Sequence, residues 1–257
     1  MEHLSWEQRG QKAYVTIQSP PANALSSGIL KDLEQVLNDV EADSSIKLIV
    51  LQGEGKFFSA GADIKEFTSF QKQDDYQSLA EKGQALFNRI EQFHIPVLAS
   101  IHGAALGGGL ELAMACHMRI ATKETKLGLP ELNLGIIPGF AGSQRLPRYV
   151  GAPKAYEMIL TGEPISADEA AHYGLVNRVV EDSELEEATT KLADKIVAKS
   201  GPSIHAVMKL LPYTHTSQFN RGVDQEAKEF GNVFGNEDAQ EGVEAFINKR
   251  QPNFKDQ

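Results

Sequence analysis

Apolar positions along the chain change their period several times, and each change predicts an element. AYVTIQ (13–18) alternates and is rich in β-branched residues, which predicts a strand. Ile29, Leu33, Val36, Leu37 and Val40 then follow the helical period, with Ser26 and Ser27 in place to cap that helix. IKLIVLQ (46–52), PVLASI (96–101) and MRIAT (118–122) read as further strands. A second helix carries Leu79, Gly83, Leu86, Ile90 and Phe93 on one face. Strands alternating with helices predict an α/β fold with mostly parallel pairing.

Beyond about residue 150 helical periods dominate. SADE (166–169) has the form of a capping box, with Gly174 to end that short helix. Leu185, Ala188, Leu192 and Ile196 mark a helix, IHAVMKLL (204–211) another, and Phe219, Val223, Phe230 and Val233 a third. These stripes must pack on the core or on another subunit. The division expected is a core of residues 1–195 and a helical C-terminal region of 196–257, with a soft boundary. No internal repeat or low-complexity linker interrupts the chain.

Composition narrows the function classes. The 257 residues are 41% hydrophobic and 23% charged, with a net charge of −10. No basic patch offers itself to nucleic acid or to an anionic membrane. Cys116 is the only cysteine, which excludes an intramolecular disulfide and a cysteine zinc cluster. The opening MEHLSWEQRG lacks an apolar signal core, so the expected compartment is the cytoplasm. Ile95 to Cys116 is long enough to span a bilayer, but it contains Pro96, His102, three glycines and Glu111, and reads instead as a buried strand, a turn and a buried helix.

Three stretches offer chemistry. In GEGKFFSAGADIKEF (53–67), Asp63 and Glu66 have N-cap and N3 spacing, consistent with a plain capped helix. The glycine-bearing turn before it also leaves backbone amides free to bind an anion. In HGAALGGGLELAMAC (102–116), thirteen of fifteen residues are glycine or apolar, yet Glu111 stands near the centre. Burial raises the pKa of such a carboxyl while a helix N-terminus favours its anion, a tension typical of an acid or base. A dipole-paired glutamate at a solvent edge is the plainer alternative. In LGLPELNLGIIPGFAGSQRL (127–146), Glu131 again stands in an apolar run, and a salt bridge to Arg145 or Arg148 is its plainer alternative. Pro138-Gly139 turns the chain into a further helix with available early amides. Two isolated carboxylates and two amide-bearing turns within 80 residues make up the parts for acid/base chemistry beside an oxyanion site.

Several of these motifs occur in a familiar order. PPANAL (20–25), FFSAGADIKEF (57–67), HGAALGGGLELAMAC (102–116), LGLPELNLGIIPGFAGSQRLPRYVG (127–151), LTGEPISADEAAHYGLVNRVV (160–180) and EGVEAFINKRQPNF (241–254) together resemble the enoyl-CoA hydratase/isomerase (crotonase) superfamily over nearly the full length. The resemblance implies a spiral of ββα turns, a helical C-terminal region that builds trimers or dimers of trimers, an acyl-CoA thioester substrate, and no metal or redox cofactor. It places the amides of Ala62 and Gly108 in an oxyanion hole, and Glu111 and Glu131 on the two glutamates characteristic of hydratases. Gly139 falls where an amide helps to position water. Ala60, Ala62, Asp63, Ile64, Lys65 and Gly108 fall on the CoA-contacting stretch, with Lys249, Arg250 and Lys255 as further basic candidates for the nucleotide end.

Departures from the family pattern are informative. Relatives often have a small residue and two glycines after the Pro-Gly turn, where this chain has Phe140-Ala141-Gly142. Phe140 either shortens the acyl pocket or points into the core. His117 and His102 replace common Asp and Asn, and neither is assigned a role. The reading is an enoyl-CoA hydratase. The alternatives are a Δ3-Δ2-enoyl-CoA isomerase or, less in keeping with the glutamate pair and the acidic charge, a non-catalytic acyl-CoA-binding or RNA-binding relative.

Overall fold

A computed structural model describes residues 1–63, 66, 73–215, 219–234 and 236–256. Six strands form the main sheet, in the order β1 (Leu4–Arg9), β2 (Lys12–Ile17), β3 (Leu48–Gly53), β4 (Val97–Ile101), β6 (Met118–Thr122) and β9 (Arg178–Val180). Only β1 and β2 pair antiparallel, and every later neighbour in this sheet is parallel. A smaller sheet orders β5 (Ala104–Leu106), β7 (Lys126–Gly128) and β8 (Ile165–Ser166).

Parallel strands need covering on both faces, and the alternation in β3 shows how this is met. Ile49 and Leu51 join the main core, whereas Leu48 and Val50 pack with Tyr14 against Ala193, Ile196 and Val197 of a later helix. On the first face lies α1 (Ser27–Glu41), which buries Ile29, Leu30, Leu33, Val36, Leu37 and Val40. Ser26 caps it, its hydroxyl accepting from the Ile29 amide at 3.3 Å. The second helix, α2 (Gln73–Glu91), contributes Leu86, Phe87 and Ile90 to the same core. The span 95–116 resolves into β4, β5 and the short helix α3 (Gly108–Ala115), all of whose residues are buried.

After β7 come α4 (Gly142–Val150), α5 (Ala152–Thr161), α6 (Ala167–His172), α7 (Leu185–Val197), α8 (Gly201–Leu210), α9 (Phe219–Phe234) and α10 (Glu237–Ile247). The SADE box is half realised. Ser166 accepts from the Glu169 amide at 3.2 Å, but the Glu169 carboxylate pairs with Lys154 at 2.6 Å instead of returning to the cap. The C-terminal segment is tied back to the sheet by buried Lys47, which meets Asp256 at 2.6 Å and donates to the carbonyls of Val197 and Lys199. Among the described residues no helix is long and apolar enough to cross a membrane.

Candidate active site

Three sequence-distant turns converge on one cavity of about 930 Å³, lined among others by Ala60, Gly61, Ala62, Gly107, Gly108, Glu111, Glu131, Gly139 and Phe140.

The first turn follows β3 and is held in shape by the PPANAL segment. Asn23, buried and at φ +50°, donates its side-chain amide to the carbonyls of Glu54 at 2.9 Å and Phe57 at 2.7 Å. Its oxygen accepts from the Ser19 amide at 2.9 Å. Leu25 then bridges Ala62, with the Leu25 amide on the Gly61 carbonyl and the Asp63 amide on the Leu25 carbonyl. The Ala62 amide is thereby left without an acceptor among the described residues. Asp63 closes this turn. Ile64 and Lys65 lie outside the described residues, as does most of the helix expected from Asp63. Glu66 is described, and its carboxylate accepts from the Ser27 amide at 2.8 Å.

The second turn enters α3. Gly107 takes φ +50°. Gly109 lies so close to the first turn that a Cβ there would meet the Ser59 carbonyl oxygen at 2.4 Å. The glycines therefore let two backbones meet, and their first consequence is packing. A Cβ on Gly108 would stand 3.5 Å from the Ala62 nitrogen, so the two amides share one patch of the cavity. As the first residue of α3, Gly108 has an amide with no helical acceptor.

Glu111 follows one turn later and is 1% exposed. Its Oε1 accepts from the amides of Phe140 at 2.8 Å and Gly142 at 2.6 Å, from the third turn. Burial pushes Glu111 up to about 7. The two amides and Arg145 oppose that rise, and the nearby Glu131 reinforces it. It does not stand at a solvent edge: it is held by amides and faces the cavity.

Glu131 opens a 3₁₀ turn, Glu131–Leu134, that ends at left-handed Gly135. Burial raises its pKa as well. Its Oε2 is buried and has no hydrogen-bond partner among the described residues. The salt bridge considered for it does not form. Arg145 and Arg148 both pair with Glu91, at 3.0 and 2.9 Å. Arg145, 2% exposed, also donates to the Phe140 carbonyl at 2.8 Å and to Asn88 at 2.6 Å. It thus braces the turn whose amides hold Glu111. The sequence marks it only as a possible partner of Glu131, because its real contacts lie 54 and 57 residues away on α2.

Gly139 lines the cavity, and its carbonyl accepts from Gln84 at 2.9 Å. Ala141, between the two amides that hold Glu111, sits at φ +73°, a left-handed conformation costly for a residue with a Cβ. Phe140 lines the cavity and is 5% exposed, packed into the core. His117 is half-buried and its Nδ1 accepts from the Val97 amide at 2.9 Å, and His102 bonds the Gly55 carbonyl. Arg250 and Lys255 pair with Glu241 and Glu237 on α10, and neither they nor Lys249 line the cavity. Among the described residues no group of three or more His, Cys, Asp or Glu side chains is arranged to hold a metal ion.

Comparison with known proteins shows the family. Residues 7–257 match the model of the family described as enoyl-CoA hydratase/isomerase. A probable enoyl-CoA hydratase of Bacillus subtilis is 55% identical, over 95% of each chain. A short-chain-enoyl-CoA hydratase of Clostridium acetobutylicum is 40% identical over 97% of this chain and 96% of its own. The crystal structure of an enoyl-CoA hydratase from Bacillus anthracis superposes with a TM-score of 0.94 at 34% identity, covering 99% of this chain and 100% of that one. This chain belongs to the enoyl-CoA hydratase/isomerase family.

Proposed function

We propose that the protein is an enoyl-CoA hydratase, adding water reversibly across the 2,3 double bond of a 2-enoyl-CoA thioester to give the 3-hydroxyacyl-CoA. One observation carries this reading. Two glutamates with complementary surroundings face a single cavity beside two amides that lack acceptors among the described residues. The hydratase names of the relatives support it.

The Ala62 and Gly108 amides form the oxyanion hole. They receive the thioester oxygen and stabilise the enolate charge that develops there, a donor set worth about 10²–10³ in rate per donor. Glu111, with both donors on Oε1, is the carboxylate. Its other oxygen takes a proton from water as the water oxygen bonds to the β-carbon. Glu131 Oε2, buried with no donor aimed at it among the described residues, is best occupied by a proton, and it delivers that proton to the α-carbon. Gly139 presents its amide to the water. In the reverse direction the same groups remove water. Ala60, Ala62, Asp63, Ile64, Lys65 and Gly108 form the CoA-contacting stretch. No metal or redox cofactor enters, since CoA arrives as part of the substrate.

Exposed Val223, Val243, Phe246 and Ile247 on α9 and α10 support a homo-oligomer, a trimer or a dimer of trimers, built through the C-terminal helices. Light scattering on the purified protein distinguishes these from a monomer.

The test is loss of the conjugated enoyl-thioester absorbance on mixing with crotonyl-CoA, with product identification. The expected product is 3-hydroxybutyryl-CoA. Failure to hydrate any 2-enoyl chain, together with conversion of a 3-enoyl-CoA to its 2-enoyl isomer, would make the isomerase the correct reading.

A further inference from the structure

Phe140 is the largest side chain lining the cavity, and its seat is tightly defined. Its ring packs edge-to-face on Phe87 of α2, with centroids 5.3 Å apart and planes at 70°. The ring also lies directly on the backbone of α2 at Gly83, where a Cβ would fall 2.3 Å from two ring carbons. Its opposite edge approaches α3, where a Cβ on Gly108 would stand 3.4 Å from the ring. The ring therefore wedges the space between α2 and α3, one edge on a bare turn of helix and the other beside an oxyanion amide. Only glycine at 83 admits this placement, so the large residue at 140 and the missing side chain at 83 form one steric unit. Leu79 and Ala80, just before Gly83 on the same helix, line the cavity.

We propose that Phe140, seated on Gly83, is a specificity-determining residue that closes the acyl end of the cavity and restricts the enzyme to short 2-enoyl chains. The proposal rests on the hydratase reading above. With the thioester oxygen on the Ala62 and Gly108 amides and the β-carbon between Glu111 and Glu131, the next carbons of the chain run against the Phe140 ring. A four-carbon chain ends there. Each further methylene must displace the ring, and Phe87 and the Gly83 backbone block its retreat. Close-packed interiors do not yield smoothly to such insertion. Where room exists, each methylene buried is worth about fourfold in affinity.

The experiment compares kcat/KM for 2-enoyl-CoAs of four and eight carbons in wild type and Phe140→Ala, read as the eight-to-four ratio within each protein. Losses common to both substrates cancel in that ratio. The wild type is expected to favour four carbons, and Phe140→Ala to raise the ratio by about tenfold or more. Phe140→Leu, which keeps an apolar side chain in the core, is expected to raise it severalfold and serves if the alanine variant does not fold. Gly83→Ala alone is expected to lower turnover of the short substrate by driving the ring toward Gly108, and adding Phe140→Ala is expected to reverse that loss. A wild type that hydrates eight carbons as well as four, or a ratio unchanged in both Phe140 variants, overturns the proposal while leaving the hydratase reading intact. A wild type inactive on every length overturns that reading, and this proposal with it.

Discussion

Glu111 and Glu131 are the same residue type facing the same cavity, yet the chain surrounds them differently. Glu111 lies in the first turn of a fully buried helix, and its Oε1 receives two backbone amides from a turn 29 and 31 residues onward. Glu131 begins a 3₁₀ turn, and no donor among the described residues reaches its Oε2. Donors stabilise a carboxylate, while burial without donors stabilises the acid. In the proposed reading, the two amides on Glu111 suit it to the base role and the unpartnered Oε2 of Glu131 suits it to the acid role.

The most severe way to break this contrast is to remove a titrating group. Glu111→Gln and Glu131→Gln are each expected to lower kcat by about 10²–10⁴-fold, measured with crotonyl-CoA. The double variant should lose far less than the product of the two, because the pair acts as a unit. Next comes Gly142→Ala. Its added Cβ would fall 2.8 Å from Glu111 Oε1 and 3.0 Å from its Cγ, pushing the carboxylate off its donors. A displacement of that kind is expected to cost about 10²-fold in kcat while the fold persists by circular dichroism.

Protonation sharpens the comparison. Glu111, raised to about 7, must be ionised to act as base, so kcat/KM should rise with pH through the neutral region. Glu131 must hold its proton, so its ionisation, which burial moves to higher pH than that of an exposed glutamate, sets a falling limb. The two limbs belong to the pair, not to either residue alone. Arg145→Met removes a positive charge that favours ionised Glu111, and so should move the lower limb upward in pH. Because that change also unpairs buried groups, it should lower stability by about 3 kcal/mol. A purely structural role for Arg145 would change stability without moving the limb.

The smallest effect is expected at Ala141, whose φ of +73° glycine adopts without strain. Ala141→Gly should raise the melting temperature by about 2 °C, after the entropy that glycine adds to the unfolded chain is offset.

Much of this architecture is legible in the sequence, for reasons that differ by element. Helix α1 announces itself through Ser26 and a five-residue apolar stripe, to which the structure adds Leu30, and β3, β4 and β6 through apolar runs fit for a doubly covered sheet. By contrast β5, β7 and β8 are three residues or fewer, too short to display any period. Both glutamates stand out because a carboxyl in an apolar run needs an explanation. What remains hidden is partnership across distance. Phe140 and Gly142 are read as generic early amides of a helix, while their acceptor lies on α3. Arg145 and Arg148 are read only as alternative partners for Glu131, while Glu91 takes both. The Phe140–Gly83 contact joins residues 57 apart, and a glycine in a helical stripe gives no sign of the ring that lies on it.

In the proposed mechanism Glu111 and Glu131 act together as base and acid on water and the enoyl thioester. The most direct measurement is initial-rate hydration of crotonyl-CoA by wild type, Glu111→Gln, Glu131→Gln and the double variant, each shown folded by its thermal transition. Wild type is expected to hydrate rapidly, each single variant to lose about 10²–10⁴-fold, and the double variant to lose little more. A single variant that keeps the wild-type rate would contradict this mechanism.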